Sequence, residues 1–231
     1  MKNVVLAQDM KEKQYVVFDF DGTIADTLDL SLNIYNRIAH EYDTRQVSQE
    51  DKDALRTKKP QELLKNYGIS HLKLFSILLR IRKELTRQIS ETELAKGIGN
   101  SLKEIKNGGF SLGILTSNSR TNVLRFLKHH SLSDIMDFVY SGNSIFGKEK
   151  VIGRMLHREK IEQNQIVYVG DETRDIEACK KSGIPIIAVT WGLNSKEVLA
   201  SLHPDYLADD PGEILPFVQQ IFRDHPAVFV R

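Results

Sequence analysis

The sequence predicts an α/β protein, a doubly wound parallel β-sheet with an all-helical block inserted after its first strand. Three observations predict it. Short β-branched and aromatic runs, such as Val16-Val17-Phe18, Phe110–Leu115 and Ile166–Val169, alternate with amphipathic helical stretches along most of the chain. Consecutive strands are joined by one helix each, the spacing of right-handed βαβ crossovers. The exception follows Thr23, where a helical stretch of about seventy residues intervenes, too long for an ordinary connection.

Taken in order, the first strand opens at Val16 and ends near Asp19. Leu28, Leu32, Tyr35, Ile38 and Ala39 then keep helical spacing to about Tyr42. Weak helical signals run from Ser48 to Arg56. Thr57-Lys58-Lys59-Pro60 reads as a loop, with Pro60 suited to the first turn of a helix from Gln61 to Asn66 that Gly68 stops. From Ser70 to about Leu94, the residues Leu74, Leu78, Ile81, Leu85 and Ile89 form a helical stripe. Beyond Gly97 the pattern returns to α/β. A helix over Asn100–Lys106 and a Gly108-Gly109 turn lead into a strand ending at Thr116. A helix over Asn122–His130, a strand over Asp137–Tyr140 and a helix over Val151–Arg158 follow. A strand over Gln165–Gly170, a helix over Thr173–Ser182 and a strand over Ile186–Val189 come next. The tail holds a strand at Tyr206-Leu207 and a helix over Pro211–Phe222. The expected organisation is a flexible leader over 1–13, a core of 14–27 and 96–231, and a helical cap of 28–95.

Composition narrows the function classes. The 231 residues carry 32 basic and 31 acidic side chains, a net charge of +1, so neither a nucleic-acid surface nor an acidic tail is expected. The single cysteine, Cys179, excludes an intramolecular disulfide framework and fits a reducing compartment. No apolar run approaches the length of a membrane-spanning helix. A cytoplasmic protein acting on a small molecule is the expectation.

The polar residues at the strand ends carry the chemistry. Asp19 and Asp21 lie two apart, on one side of a buried strand, and two like charges there repel unless a cation or proton compensates them. They invite a divalent metal, an acid/base split, or both, although an isolated pair of this kind also serves as turn and cap residues. In an open parallel sheet, ligands bind beyond the carboxyl ends of the strands. Thr116-Ser117-Asn118 ends the second strand, Lys148 opens the helix after the third, and Gly170-Asp171-Glu172-Thr173-Arg174-Asp175 follows the next. Singly these read as an N-cap, a surface lysine and a turn. Together, on one sheet edge, they supply carboxylates, hydroxyl and amide donors and a cation, a set suited to a metal plus a phosphate.

Asp19-Phe20-Asp21-Gly22-Thr23, Leu115-Thr116-Ser117-Asn118, Lys148 and Gly170–Asp175 resemble, in order and spacing, the four motifs of the haloacid dehalogenase superfamily. The resemblance spans Tyr15 to Val189, with the helical insert where that superfamily carries its first cap. It implies a Rossmann-like core and hydrolysis of a small phosphorylated metabolite, as in the phosphoglycolate phosphatase-like branch. It also implies roles. Asp19 is the expected nucleophile and Asp21 the expected acid/base. Thr116, with backbone amides near Ser117 and Gly22, would hold phosphoryl oxygens, and Lys148 would neutralise charge. Mg²⁺ would take the Asp19 carboxylate, the Asp21 carbonyl and Asp171, with Asp175 as an outer ligand or orienter. The presence of Asp21 argues against dehalogenation. A phosphomutase, or a low-turnover regulatory protein on the same fold, is the alternative. Substrate choice is expected from the cap, with Arg56, Lys58 and Lys59 as candidate contacts; Arg80, Lys83 and Arg87 share a helix face that ordinarily faces solvent. Oligomeric state is not encoded in any of these motifs.

Overall fold

A computed structural model of the chain describes residues 13–48, 51, 56–57, 67, 69–89, 92–142 and 147–224. The expected leader, apart from its last residue, the helix over 61–66, and Lys58 and Lys59 lie outside the described residues.

Six strands form one sheet: β1 (Tyr15–Phe18), β2 (Ser111–Thr116), β3 (Met136–Ser141), β4 (Ile166–Gly170), β5 (Ile186–Val189) and β6 (Tyr206–Ala208). Their order is β3-β2-β1-β4-β5-β6 and every pairing is parallel. β1 is therefore central, and the chain winds outward on one side of it before returning to wind outward on the other. That reversal falls between β1 and β4, where such sheets open a crevice for ligands.

Helix α1 (Leu28–Ile38), followed by a 3₁₀ turn over Ala39–Tyr42, and helix α2 (His71–Gln88) lie between β1 and the rest of the sheet in sequence. The other helices whose bounds are described are α3 (Ile98–Asn107), α4 (Arg120–His129), α5 (Lys148–Glu159), α6 (Thr173–Ser182), α7 (Lys196–Ala200) and α8 (Ile214–Asp224). None of the described helices is long and apolar enough to cross a membrane.

Strand alternation divides the core between the two faces of the sheet. Val16 and Phe18 of β1 point to the face covered by α3, α4 and α8, against Leu102, Phe126 and Val218. Val17 points to the opposite face, where α5, α6 and α7 bring Val151, Met155, Ile176, Cys179 and Leu199. Cys179 is a buried packing residue, and burial pushes its thiol well above the usual range. Tyr35, Ile38, Ala39 and Ile77 form a separate small core between α1 and α2.

The helical insertion is joined to the sheet by two segments that pair with one another. Ala25 and Leu94 form an antiparallel bridge, the Asp26 amide donates to the Glu93 carbonyl at 2.9 Å, and the Ala95 amide donates to the Ile24 carbonyl at 2.9 Å.

Candidate active site

Register sets the height of the catalytic candidates. Phe18 aligns with Ile114 of β2 and Val169 of β4, so Asp19, Thr116 and Asp171 emerge at neighbouring strand ends. The Asp19 amide extends the ladder by one bond to the Val169 carbonyl, at 2.8 Å. Beyond it the chain turns tightly: the amides of Ile24 and Ala25 both donate to the Phe20 carbonyl, and Gly22 adopts φ +81°. A side chain at Gly22 would be strained by that angle and its Cβ would collide with the Asp171 carboxyl. Glycine here lets β1's loop pass against the end of β4.

The two carboxylates of this turn are held by different partners. Asp19, 4% exposed, accepts the Lys148 ammonium on Oδ2 at 2.7 Å and the Phe20 amide on Oδ1 at 2.7 Å. Asp21 is engaged from the other side, by Asn118 Nδ2 at 3.1 and 3.2 Å from its two oxygens. Burial, then the charge of Asp19, pushes the Asp21 carboxyl up to about 6. Asn118 is itself fixed: its amide donates to Thr116 Oγ1 at 2.9 Å, and its Oδ1 accepts Asn122 Nδ2 at 2.9 Å. Thr116 is fully buried at the end of β2, and half-buried Ser117 follows it.

Lys148 is the first residue of α5 and is 3% exposed. Besides Asp19 it pairs with Asp175, and its ammonium lies 5.1 Å from the Tyr168 ring centroid. Burial alone would lower its pKa; the charges of Asp175 and Asp19 outweigh that and hold it well above the ordinary value. Asp175 sits at the third position of α6, where Oδ2 accepts the Glu172 amide at 3.1 Å in a reciprocal cap. Asp171, fully buried, accepts Thr23 Oγ1 on Oδ1 and the Leu193 amide on Oδ2, both at 2.7 Å.

Asp19, Asp171 and Asp175 each offer a carboxylate oxygen within 4.8 Å of the others. The Lys148 ammonium pairs with two of these three carboxylates, Asp19 and Asp175. Burial first, and then Glu172, Asp19 and Asp175, drive the Asp171 carboxyl well above the usual range. A set of hard oxygen donors with excess negative charge fits a divalent cation.

Asn118 closes the Thr116-Ser117-Asn118 stretch, which assigns it no task of its own; its position two residues past β2 is the local signal for its role. Arg56 sits at a seam with the sheet. Its Nη2 donates to the Thr190 carbonyl at 2.9 Å, and its own carbonyl accepts the Ser195 amide at 2.9 Å. Arg80 lies 3.6 Å from Glu84 and Arg87 3.5 Å from Glu84, pairs of the kind found on solvated helix faces.

Residues 16–189 match the family model described as haloacid dehalogenase-like hydrolase. The chain belongs to that family. It is similar to a phosphoglycolate phosphatase from Synechococcus elongatus, with 32% identity over 91% of this chain and 99% of the relative. It also resembles the pyrophosphatase PpaX of Bacillus mycoides, at 24% identity over 89% of this chain and 97% of the relative. Among solved structures, a predicted phosphatase from Clostridium acetobutylicum shares the fold with a TM-score of 0.76 and 21% identity, covering 90% of this chain and 99% of that one. Within the haloacid dehalogenase-like hydrolases, the chain falls in the phosphoglycolate phosphatase-like branch and is a phosphatase.

Proposed function

We propose that this haloacid dehalogenase-like hydrolase cleaves a small phosphomonoester of the phosphoglycolate type, using Asp19 as nucleophile, Asp21 as acid/base and Mg²⁺ as cofactor. The observation that carries the reading is the division of labour between the two aspartates. Lys148 donates to the Asp19 carboxylate, and Asn118 holds a carboxyl whose affinity for a proton is raised. In the first step an Asp19 oxygen bonds to phosphorus while the ester P–O bond breaks, and Asp21 passes its proton to the departing alkoxide. In the second step Asp21, now ionised, takes a proton from a water that attacks phosphorus, and the bond to Asp19 breaks, releasing phosphate. Thr116, Ser117 and the backbone near Gly22 line the place where phosphoryl oxygens would rest, and Lys148 offsets their charge.

Asp19 and Asp171 would hold Mg²⁺ through side chains and Asp21 through its carbonyl, with Asp175 at the edge of the set. When bound, the ion neutralises phosphoryl charge. Residues 28–95 act as a cap over a core of 14–27 and 96–231, in a cytoplasmic enzyme whose partner is a small phosphorylated metabolite.

The test is phosphate release, with and without Mg²⁺, from phosphoglycolate, other phosphorylated metabolites, pyrophosphate and an aryl phosphate. Mg²⁺-dependent release that favours phosphoglycolate or a similar small ester is expected. No release from any ester, or release from pyrophosphate alone, would overturn the reading.

Asp171→Asn provides a check on the metal site that is independent of turnover. The amide can keep both neighbours, with Oδ1 accepting the Leu193 amide and Nδ2 donating to Thr23 Oγ1. A carboxyl whose folded pKa is raised favours the native state below that pKa and penalises it above. Without metal, Asp171→Asn should therefore be the more stable protein at pH 8. The advantage should shrink as pH falls towards the ordinary carboxylate range. Adding Mg²⁺ should raise the melting temperature of the parent chain and leave the variant's unmoved. Equal responses to Mg²⁺ would remove Asp171 from the ligand set.

A further inference from the structure

The loop after β5, residues 190–195, wraps around the carboxylate proposed above as a metal ligand. The Leu193 amide donates to Asp171 Oδ2 at 2.7 Å, and the Asn194 amide donates to the Asp171 carbonyl at 3.3 Å. Asn194 Oδ1 accepts the Thr173 amide at 2.9 Å. Trp191 Nε1 donates to the Thr23 carbonyl at 3.1 Å, and Thr23 Oγ1 donates to the other Asp171 oxygen. Gly192 runs so close beneath Asp171 that a Cβ there would strike its side chain. Both oxygens of Asp171 are thus positioned by this loop or by the residue its tryptophan holds.

Arg56 grips both ends of the same loop. It belongs to the helical insertion, yet its guanidinium takes the Thr190 carbonyl and its own carbonyl takes the Ser195 amide. Thr190 is otherwise tied into the sheet's edge, through the Ala208 carbonyl at 3.0 Å and Asp209 Oδ1 at 2.9 Å. The loop is therefore anchored to β6 on one side and to the insertion on the other.

We propose that Arg56 is a positioning residue through which the cap sets the geometry of Asp171, and with it the affinity of the metal site. This replaces the role of substrate contact expected from the sequence, and it rests on the reading of Asp171 as a metal ligand. In this arrangement Arg56 holds the loop whose Leu193 amide rests against Asp171. Loss of the guanidinium bond would loosen that support. Metal affinity and cap position are then linked, and each strengthens the other.

The experiment uses the whole chain and Mg²⁺ alone, without substrate. Mg²⁺ affinity is measured by calorimetry. The protein's single tryptophan, Trp191, lies within the loop, so its emission reports the loop's environment during the same titration. Outer-shell partners of metal ligands typically change affinity by about ten- to a hundredfold. Arg56→Met, which keeps the aliphatic stem and the backbone tie, is expected to weaken Mg²⁺ binding by about tenfold. It should also shift Trp191 emission, and its lost turnover should return at high Mg²⁺. Arg56→Lys should fall between the two, and carries the test if Arg56→Met does not fold. Unchanged Mg²⁺ affinity in a folded variant overturns the proposal, whether stability falls or KM rises. Absence of Mg²⁺ binding by the parent chain overturns the metal reading itself, a distinguishable failure.

Discussion

Asp19→Asn is expected to lower phosphate release from any accepted ester by about three orders of magnitude or more, with the fold intact. An amide oxygen is too poor a nucleophile to displace an alkoxide from phosphorus. The substitution is otherwise mild. The amide oxygen can still accept the Lys148 ammonium, with the acceptor of the Phe20 amide given up, and Lys148 retains Asp175 as its ionic partner. One carboxylate also leaves a cluster of three, so the metal-free melting temperature should stay level or rise. Turnover with saturating Mg²⁺ and thermal unfolding without it are the measurements. A variant that keeps its rate would unseat Asp19 as nucleophile, and one that loses rate because it unfolds would show up in the melting curve.

Lys148→Met should produce the largest loss of stability. It removes a buried ammonium from between two buried carboxylates, and breaking a buried pair in this way costs about 3 to 5 kcal/mol. Methionine fills the space of the stem but supplies no charge. The pH dependence follows from the carboxyls left behind. Burial, moderated by Lys148, already pushes Asp175 upward, and burial with its acidic neighbours does the same to Asp171. Without the ammonium Asp175 rises further. A raised carboxyl pKa favours the folded state once the group is protonated, so the variant's deficit should be greatest above neutral pH. It should shrink as pH falls towards about 4, the ordinary carboxylate value. Mg²⁺ should recover part of the loss at pH 7. Urea unfolding across this pH range, with and without Mg²⁺, measures both effects; a deficit that grows on acidification would contradict them.

Much of this site was legible because its residues sit at the ends of strands, and strand ends can be read from local pattern. β5 runs over Ile186–Val189 as expected, and each of the other strands overlaps its predicted stretch. Asp19, Thr116 and Asp171 follow from where those apolar runs stop. The short helix α7 was not legible: five residues give too little periodicity, and its one cue is Ser195, whose Oγ accepts the Val198 amide at 3.5 Å. Other misses arise from contacts between residues far apart in the chain. Asn118 meets Asp21 across 97 positions, and Arg56 meets Thr190 across 134. Charge and spacing marked Arg56 as a candidate of some kind, but nothing local distinguishes a cation that faces substrate from one that grips a loop.

The paired segments at the base of the insertion have a consequence for how such proteins diversify. Because Ala25 and Leu94 are bridge partners, the insertion leaves and rejoins the sheet at adjacent points. A tight turn could connect those points directly, and an unrelated module with neighbouring ends could be spliced between them. The entropy of closing a loop there grows only slowly with its length, by roughly 0.6 kcal/mol per doubling. The base of the insertion thus works as a socket. A different module could be fitted there while the buried aspartates a few residues away stay as they are.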